Sequence, residues 1–314
     1  MTDESDFLAS LRPLAAAAAA RGLADDAAVL ELGGARLVLT HDMLVEGVHY
    51  LPTDPPEDVA WKLLAVNLSD LAAKGAAPVG VLMGYMLGDD AWDRAFASGF
   101  GAALRHFGVA LLGGDTVAAP TGTARVLGLT AVGEAKGSVP SRSGVRAGDI
   151  LFVSGTIGDA GAGLRVLKGE LPASEALAAR YRRPEPRLAA GEALAPLVSA
   201  MMDVSDGLLI DAGRMAAASG VRIEIDLARV PLSDAFCAAL GDARGARLGA
   251  ATAGDDYELL FAVPPERAAT VAALADLLGL PLTRIGAAAA GRGLGLADGG
   301  ETLPLPERLG WEHG

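Results

Sequence analysis

The stretch Asp203-Val204-Ser205-Asp206-Gly207-Leu208-Leu209-Ile210-Asp211 constrains the fold more than any other part of the chain. An apolar run through Met201 and Met202 stops there at two carboxylates three residues apart, with a serine between them and a glycine behind. Placed at the opening of a helix, Asp203 and Asp206 fall on one side of a single turn. Two like charges that close repel each other and call for a partner. One reading makes them a helix N-cap, since Asp and Ser cap well and favour the positive end of the dipole. The other makes them ligands of Mg²⁺, a hard cation that takes carboxylate oxygens.

The arrangement recurs along the chain. Asp25-Asp26 leads into the strand-like run Ala27-Ala28-Val29-Leu30, and the strand Arg36 to Thr40 ends in His41-Asp42. Trp61, Leu64, Leu68 and Leu71 recur at near-helical spacing and mark a core-facing helix. Asn67, Ser69 and Asp70 interrupt it, so Asp70 sits near the buried side and needs a partner, which a metal would supply. Val109 to Leu112 reads as a strand followed by Gly113-Gly114-Asp115-Thr116. Paired glycines let backbone approach a phosphate, and Asp115 could hold a metal beside it. Each aspartate taken singly also reads as a turn or cap. Together Asp26, Asp42, Asp70, Asp115, Asp203 and Asp206 each flank an apolar element, with nothing basic nearby in sequence. That pattern suggests one acidic pocket holding several divalent cations, the requirement of phosphoryl transfer.

With 314 residues the chain has room for two domains. Strands and helices alternate in both halves, which predicts an α/β architecture. Helices are expected over 7–21, 91–107 and 266–278, and strands over 79–87, 124–134, 149–155, 221–227 and 282–286. A glycine-rich tail ends Gly310-Trp311-Glu312-His313-Gly314. Ser138 to Gly148 is the best linker candidate, which divides the chain into domains at 1–137 and 149–314.

A net charge of −13 argues against nucleic-acid binding through a basic face, and against a nuclease, which would want a basic groove. One cysteine, Cys237, excludes an intramolecular disulfide and fits a reducing compartment. The acidic start, Met1 to Asp6, is unlike a signal peptide, and no apolar run reaches the roughly 18 residues of a membrane span. A cytoplasmic protein with no membrane partner is therefore expected. No G-x-x-x-x-G-K-[ST] or G-x-S-x-G occurs, and one cysteine with scattered histidines offers no zinc spacing.

The motifs Asp25-Asp26-Ala27-Ala28, Leu44 to His49, Ala65-Val66-Asn67-Leu68-Ser69-Asp70, Gly113-Gly114-Asp115-Thr116, Arg142-Ser143-Gly144, Asp203 to Leu208 and Gly254-Asp255-Asp256-Tyr257-Glu258-Leu259 have a known combination. The chain resembles the thiamine-monophosphate kinase family, within the superfamily of aminoimidazole ribonucleotide synthetase and selenophosphate synthetase. The resemblance runs from about Asp25 to Trp311. It implies a two-domain α/β fold like that of aminoimidazole ribonucleotide synthetase, with N-terminal sheets paired into a barrel in a homodimer. It implies ATP-dependent phosphorylation of thiamine monophosphate to thiamine diphosphate by direct in-line transfer, with no covalent nucleophile and no strong general base. Matching positions make Asp26, Thr40, His41, Asp42, Asp70, Asp115, Asp203 and Asp206 the Mg²⁺ set. Gly114, Asp115, Arg142 and Ser205 would contact ATP, and His49, Asp255 and Trp311 thiamine monophosphate. Ala24 and Ala253 stand where the family has glycine, and Gly314 where an aromatic is common. His41 replaces a small hydroxyl residue, so that position would coordinate through its backbone carbonyl.

Overall fold

The computed structural model describes residues 4–120 and 122–312, so His313 and Gly314 of the tail lie outside the described residues. After helix α1 (Glu4–Leu11), the first sheet is built from β1 (Ala28–Leu32), β2 (Ala35–Val45), β3 (Ala77–Leu87), β4 (Ala110–Ala118) and β5 (Val126–Glu134). Helices α2 (Pro56–Ala73) and α3 (Asp90–Phe107) pack on one face of it. The strand order is β1-β2-β5-β3-β4, and only β3 and β4, joined through α3, run parallel. A parallel pair needs such a crossover, whereas the antiparallel β1 and β2 close through the short Gly33-Gly34 turn.

The second sheet begins at β6 (Ile150–Ser154) and adds β7 (Ala200–Asp203), β8 (Arg222–Asp226), β9 (Leu259–Val263), β10 (Leu282–Ala289), β11 (Gly293–Asp298) and β12 (Glu301–Leu303). Its order is β12-β11-β8-β10-β6-β9-β7. Around it lie α4 (Asp159–Leu167), α5 (Glu175–Arg182), α6 (Leu188–Leu194), α7 (Leu208–Ser219), α8 (Asp234–Leu240), α9 (Arg244–Thr252) and α10 (Ala268–Leu278).

Helix α2 joins the two halves. From Val59 to Ala73 every residue except Trp61 is buried, because the helix touches the first sheet, α3, α6 and β7. Its contact with α6 is backbone-close: a Cβ on Gly191 would stand 1.9 Å from the Ala72 carbonyl oxygen. A helix covered all round exposes no side for charge, so Lys62, Asn67, Ser69, Asp70 and Lys74 must find partners inside.

Four sequence expectations change. The helix expected over 7–21 stops at Leu11, just before Pro13, whose nitrogen cannot donate; Arg21 and Leu23 then adopt left-handed backbone. Strand β2 continues through His41-Asp42 to Val45, so Asp42 lies inside a strand. The same holds for Asp115, since β4 runs through its glycines. Gly114 is needed there because a Cβ would meet the Met83 carbonyl oxygen at 2.0 Å, a close approach of neighbouring strands rather than of a ligand. The glycine-rich tail contains two strands, β11 and β12, which glycine content masked.

Candidate active site

A cleft of about 960 Å³ opens between the halves, lined by Asp26, Asp42 and Asp70 from one side and Asp203, Ser205 and Asp206 from the other. Asp203 is the last residue of β7, and Ser205 and Asp206 lie in the turn before α7. The two carboxylates therefore stand on a strand end and a loop, not on one helical turn. The capping role goes to Asp211 one turn into α7, whose carboxylate accepts from the N–H groups of Asp206 (3.2 Å) and Gly207 (3.3 Å).

Asp26, Asp70 and Asp203 each offer a carboxylate oxygen within 4.8 Å of the others. The surroundings fix their rotamers. Ser69 Oγ donates to Asp203 Oδ2 at 2.6 Å, and Thr40 Oγ1 donates to Asp70. Asn67 Oδ1 accepts from the Asp42 N–H at 2.9 Å and holds that strand against α2. Burial and crowding then act on the protons. Burial, with Asp26 and other carboxylates close by, raises the Asp203 pKa to about 8. Burial together with Asp26 and Asp206 raises Asp42 to about 6. Asp70 is likewise pushed well up, by burial and by Asp42, Asp203 and Asp26. Asp26 goes the other way: burial is outweighed by Lys74 and Arg142, and its carboxyl is held below the usual value.

Of these cations the sequence reading singled out Arg142, as an ATP contact, and missed Lys74 and Arg214. Lys74 Nζ lies 2.5 Å from Asp25 and 2.6 Å from Asp26. The Arg142 guanidinium bonds Asp26, and Arg214 Nη1 bridges Asp206 (2.5 Å) and Asp211 (2.9 Å). They come from the end of α2, the connecting segment and α7, so no local pattern brings them near the aspartates. The one sequence signal was a lysine ending a helix otherwise apolar on every side.

The segment Gly254 to Glu258 forms the far wall. Asp255 (φ 69°) and Tyr257 (φ 51°) take left-handed backbone, uncommon for such residues. Their N–H groups bond the carbonyls of Ser205 (2.7 Å) and Val204 (2.8 Å), which ties this motif directly to the one around Asp203. The alternate residues anchor the loop. Asp256 accepts from the Gly158 N–H at 2.8 Å. Glu258, fully buried, accepts from Arg180 (2.9 Å), Arg187 (2.8 Å) and Ser154 Oγ (2.6 Å). Asp255 in turn receives Lys62 Nζ at 2.9 Å, and that ammonium also donates to the His49 carbonyl and stands 3.9 Å over the Tyr181 ring. The Asp255 charge is thus matched within the protein. His49 lines the cleft with its Nδ1 accepting from the Val45 N–H, and Trp311 lines it with its backbone N–H donating to the Asp206 carbonyl.

Three sequence-selected residues, Asp115, Gly114 and His41, stand elsewhere or turn their side chains away. Asp115 pairs with Gly84, in a row that continues through Gly128 to Met43 on the outer face of the sheet. From β4 to β2 is three strand spacings, about 14 Å, and Gly114 shares that edge strand. The His41 ring also points outward, its Nδ1 2.9 Å from Thr130 Oγ1, which leaves the backbone carbonyl as the only group that position was expected to offer. Strand alternation sends neighbours to opposite faces, so Thr40 and Asp42 face the cleft and His41 does not.

The fold and its acidic cleft define a class. AIR synthase related protein matches the chain twice, its N-terminal domain over residues 24–135 and its C-terminal domain over residues 146–299. A thiamine-monophosphate kinase of Caulobacter vibrioides is 42% identical over 322 residues, covering 99% of this chain and 91% of the relative. The solved structure of AaThiL complexed with AMPPCP and TMP superposes with a TM-score of 0.85 at 32% identity, covering 99% and 97% of the two chains. That of thiamine-monophosphate kinase from Stenotrophomonas maltophilia K279a gives 0.78 at 39% identity, covering 95% and 96%. The chain belongs to the thiamine-monophosphate kinase family.

Proposed function

We propose that this protein transfers the γ-phosphoryl group of ATP to thiamine monophosphate, forming thiamine diphosphate and ADP in a Mg²⁺-dependent reaction. The observation that carries the reading is the trio Asp26, Asp70 and Asp203, with Asp42 and Asp206 in the same cleft. The ligand and nucleotide named for AaThiL support the substrate pair.

The donor set fits Mg²⁺, since hard carboxylate oxygens converge and Asp26 Oδ2, though close to Lys74, has no hydrogen bond. Asp26, Asp42, Asp70, Asp203 and Asp206 would hold the ions, with Thr40 positioning Asp70. Bound Mg²⁺ neutralises charge on the phosphates and aligns donor with acceptor. Arg142 is a phosphate contact that exchanges Asp26 for phosphate oxygens, and Ser205 is a hydroxyl donor on the same side. His49, Asp255 and Trp311 frame the acceptor, the indole ring stacking on its cationic ring. The acceptor is already an anionic phosphate, so the site needs no strong base. The assay that tests the reading supplies ATP, Mg²⁺ and thiamine monophosphate and follows thiamine diphosphate directly. Product that disappears with EDTA is expected; ATP binding without product would refute it.

The protein is a homodimer on this reading, cytoplasmic, with residues 138–148 linking a dimerising N-terminal domain to a C-terminal domain that closes the cleft. Among the described residues no helix is long and apolar enough to cross a membrane. The outer face of the first sheet supports the dimer, since Met43, Leu82, Leu111 and Val117 are exposed there and along its edge. A second copy on this face gives Gly114 and Asp115 a role they lack within one chain, serving the site of the other subunit. Co-expressing Asp115→Asn and Asp203→Asn chains should then restore about a quarter of parental activity, because half the dimers are mixed and each has one intact site. No recovery in mixed dimers would count against the shared site.

A further inference from the structure

We infer that Lys74 is a resident cation of the metal site, a positioning residue that permanently offsets one carboxylate charge and thereby sets how tightly Mg²⁺ binds. This rests on the metal-dependent reading above. Among the described residues Lys74, Arg142 and Arg214 pair with Asp26 or Asp206, and they differ in what they can do when metal and phosphate arrive. The side chains of Arg142 and Arg214 are 22% and 36% exposed, so both can swing from carboxylate to phosphate. That of Lys74 is 0% exposed. Its ammonium is fixed by Asp25 at 2.5 Å, Asp26 at 2.6 Å and the Met201 carbonyl at 3.3 Å, two residues before Asp203 in β7. It donates to Asp25 and to the Met201 carbonyl, stands in ion-pair contact with Asp26, and is fully buried.

The arrangement has two consequences. Asp25 and Asp26 are adjacent buried carboxylates, and Lys74, helped by Arg21 and Arg142, keeps them together before any ion binds. The same positive charge remains beside Asp26 once Mg²⁺ is bound, and repels it. Lys74 therefore preforms the cleft while weakening its hold on divalent ions, which favours release of the Mg²⁺-bound product.

The test is Mg²⁺ binding to the full-length, nucleotide-free protein by calorimetry, with thermal denaturation alongside. Lys74→Met should lower the melting temperature without metal yet bind Mg²⁺ about tenfold more tightly. Asp25→Asn should weaken Mg²⁺ binding, since Lys74 then acts undiluted on Asp26. Lys74→Met/Asp25→Asn removes one charge of each sign and should return to near-parental affinity. Unchanged or weaker Mg²⁺ binding in Lys74→Met, or a double variant indistinguishable from it, would overturn the inference and leave a packing role. If Lys74→Met does not fold, the Asp25→Asn affinity decides between the two. A parental protein that binds no Mg²⁺ at all would instead sink the metal reading itself, and this inference with it.

Discussion

Asp203→Asn is expected to lower kcat by about 10³-fold or more, about 4 kcal/mol of transition-state stabilisation, while the metal-free protein becomes no less stable than the parent. The asparagine keeps an oxygen for Ser69 Oγ, so the local geometry survives. What it removes is a buried ionisable carboxyl crowded by Asp26, Asp42 and Asp70. The pH dependence follows from the same crowding. Asp203 and Asp42 have pKa values raised to about 8 and about 6, so the folded, metal-free chain binds protons that the unfolded chain has released. Stability without metal therefore falls as pH rises from about 4 to about 8, and Asp203→Asn should flatten the upper part of that decline. Mg²⁺ takes the ionised carboxylates, so its affinity should rise over the same interval and its binding should release protons near neutrality. Melting curves at several pH values, with and without Mg²⁺, check all of this. Normal turnover by the variant would remove the acidic trio from the reaction.

Glu258→Ala is expected to destabilise the protein by about 3–5 kcal/mol, the usual consequence of leaving buried partners of an ion pair unmatched. Arg180, Arg187 and Ser154 all lose their acceptor at once, and neither guanidinium has another acidic side chain within ion-pair distance among the described residues. The effect should reach function. Glu258 and Asp256 hold a loop in which Asp255 and Tyr257 have unfavourable left-handed backbone, and strain of that kind persists only while its surroundings enforce it. KM for thiamine monophosphate should rise more than KM for ATP, because the loop forms the wall beside His49. Glu258→Gln, which keeps one acceptor oxygen and loses the charge and the second acceptor, should fall between. Urea denaturation and steady-state kinetics measure the two effects, and a loss under about 1 kcal/mol in Glu258→Ala would mean the loop is held by something else.

Much of the molecule was legible in residue order. Where the apolar rhythm was strong, as over 79–87, 91–107 and 124–134, the elements lie where it put them to within a few residues. Boundaries failed where polar or glycine residues entered a strand, at His41-Asp42, at Gly113-Gly114-Asp115 and in the tail, because sheet pairing supplies the backbone partners that composition cannot reveal. The carboxylates that line the cleft stood out in the sequence because unpaired buried acids are costly enough to be conspicuous in an apolar context.

What the sequence by itself determined is the chemistry of the donor set, hard oxygens at the edges of apolar elements, and the two-part α/β layout that carries them. Tertiary structure alone decided which aspartates meet and what neutralises them. Asp115 stands three strands away from Asp42 on the far face, while Lys62, Lys74, Arg142 and Arg214 arrive from remote segments to match the acids. The reason is physical: desolvation is felt by one residue and its near neighbours in sequence, but charge pairing acts through space, and only the folded chain sets those distances.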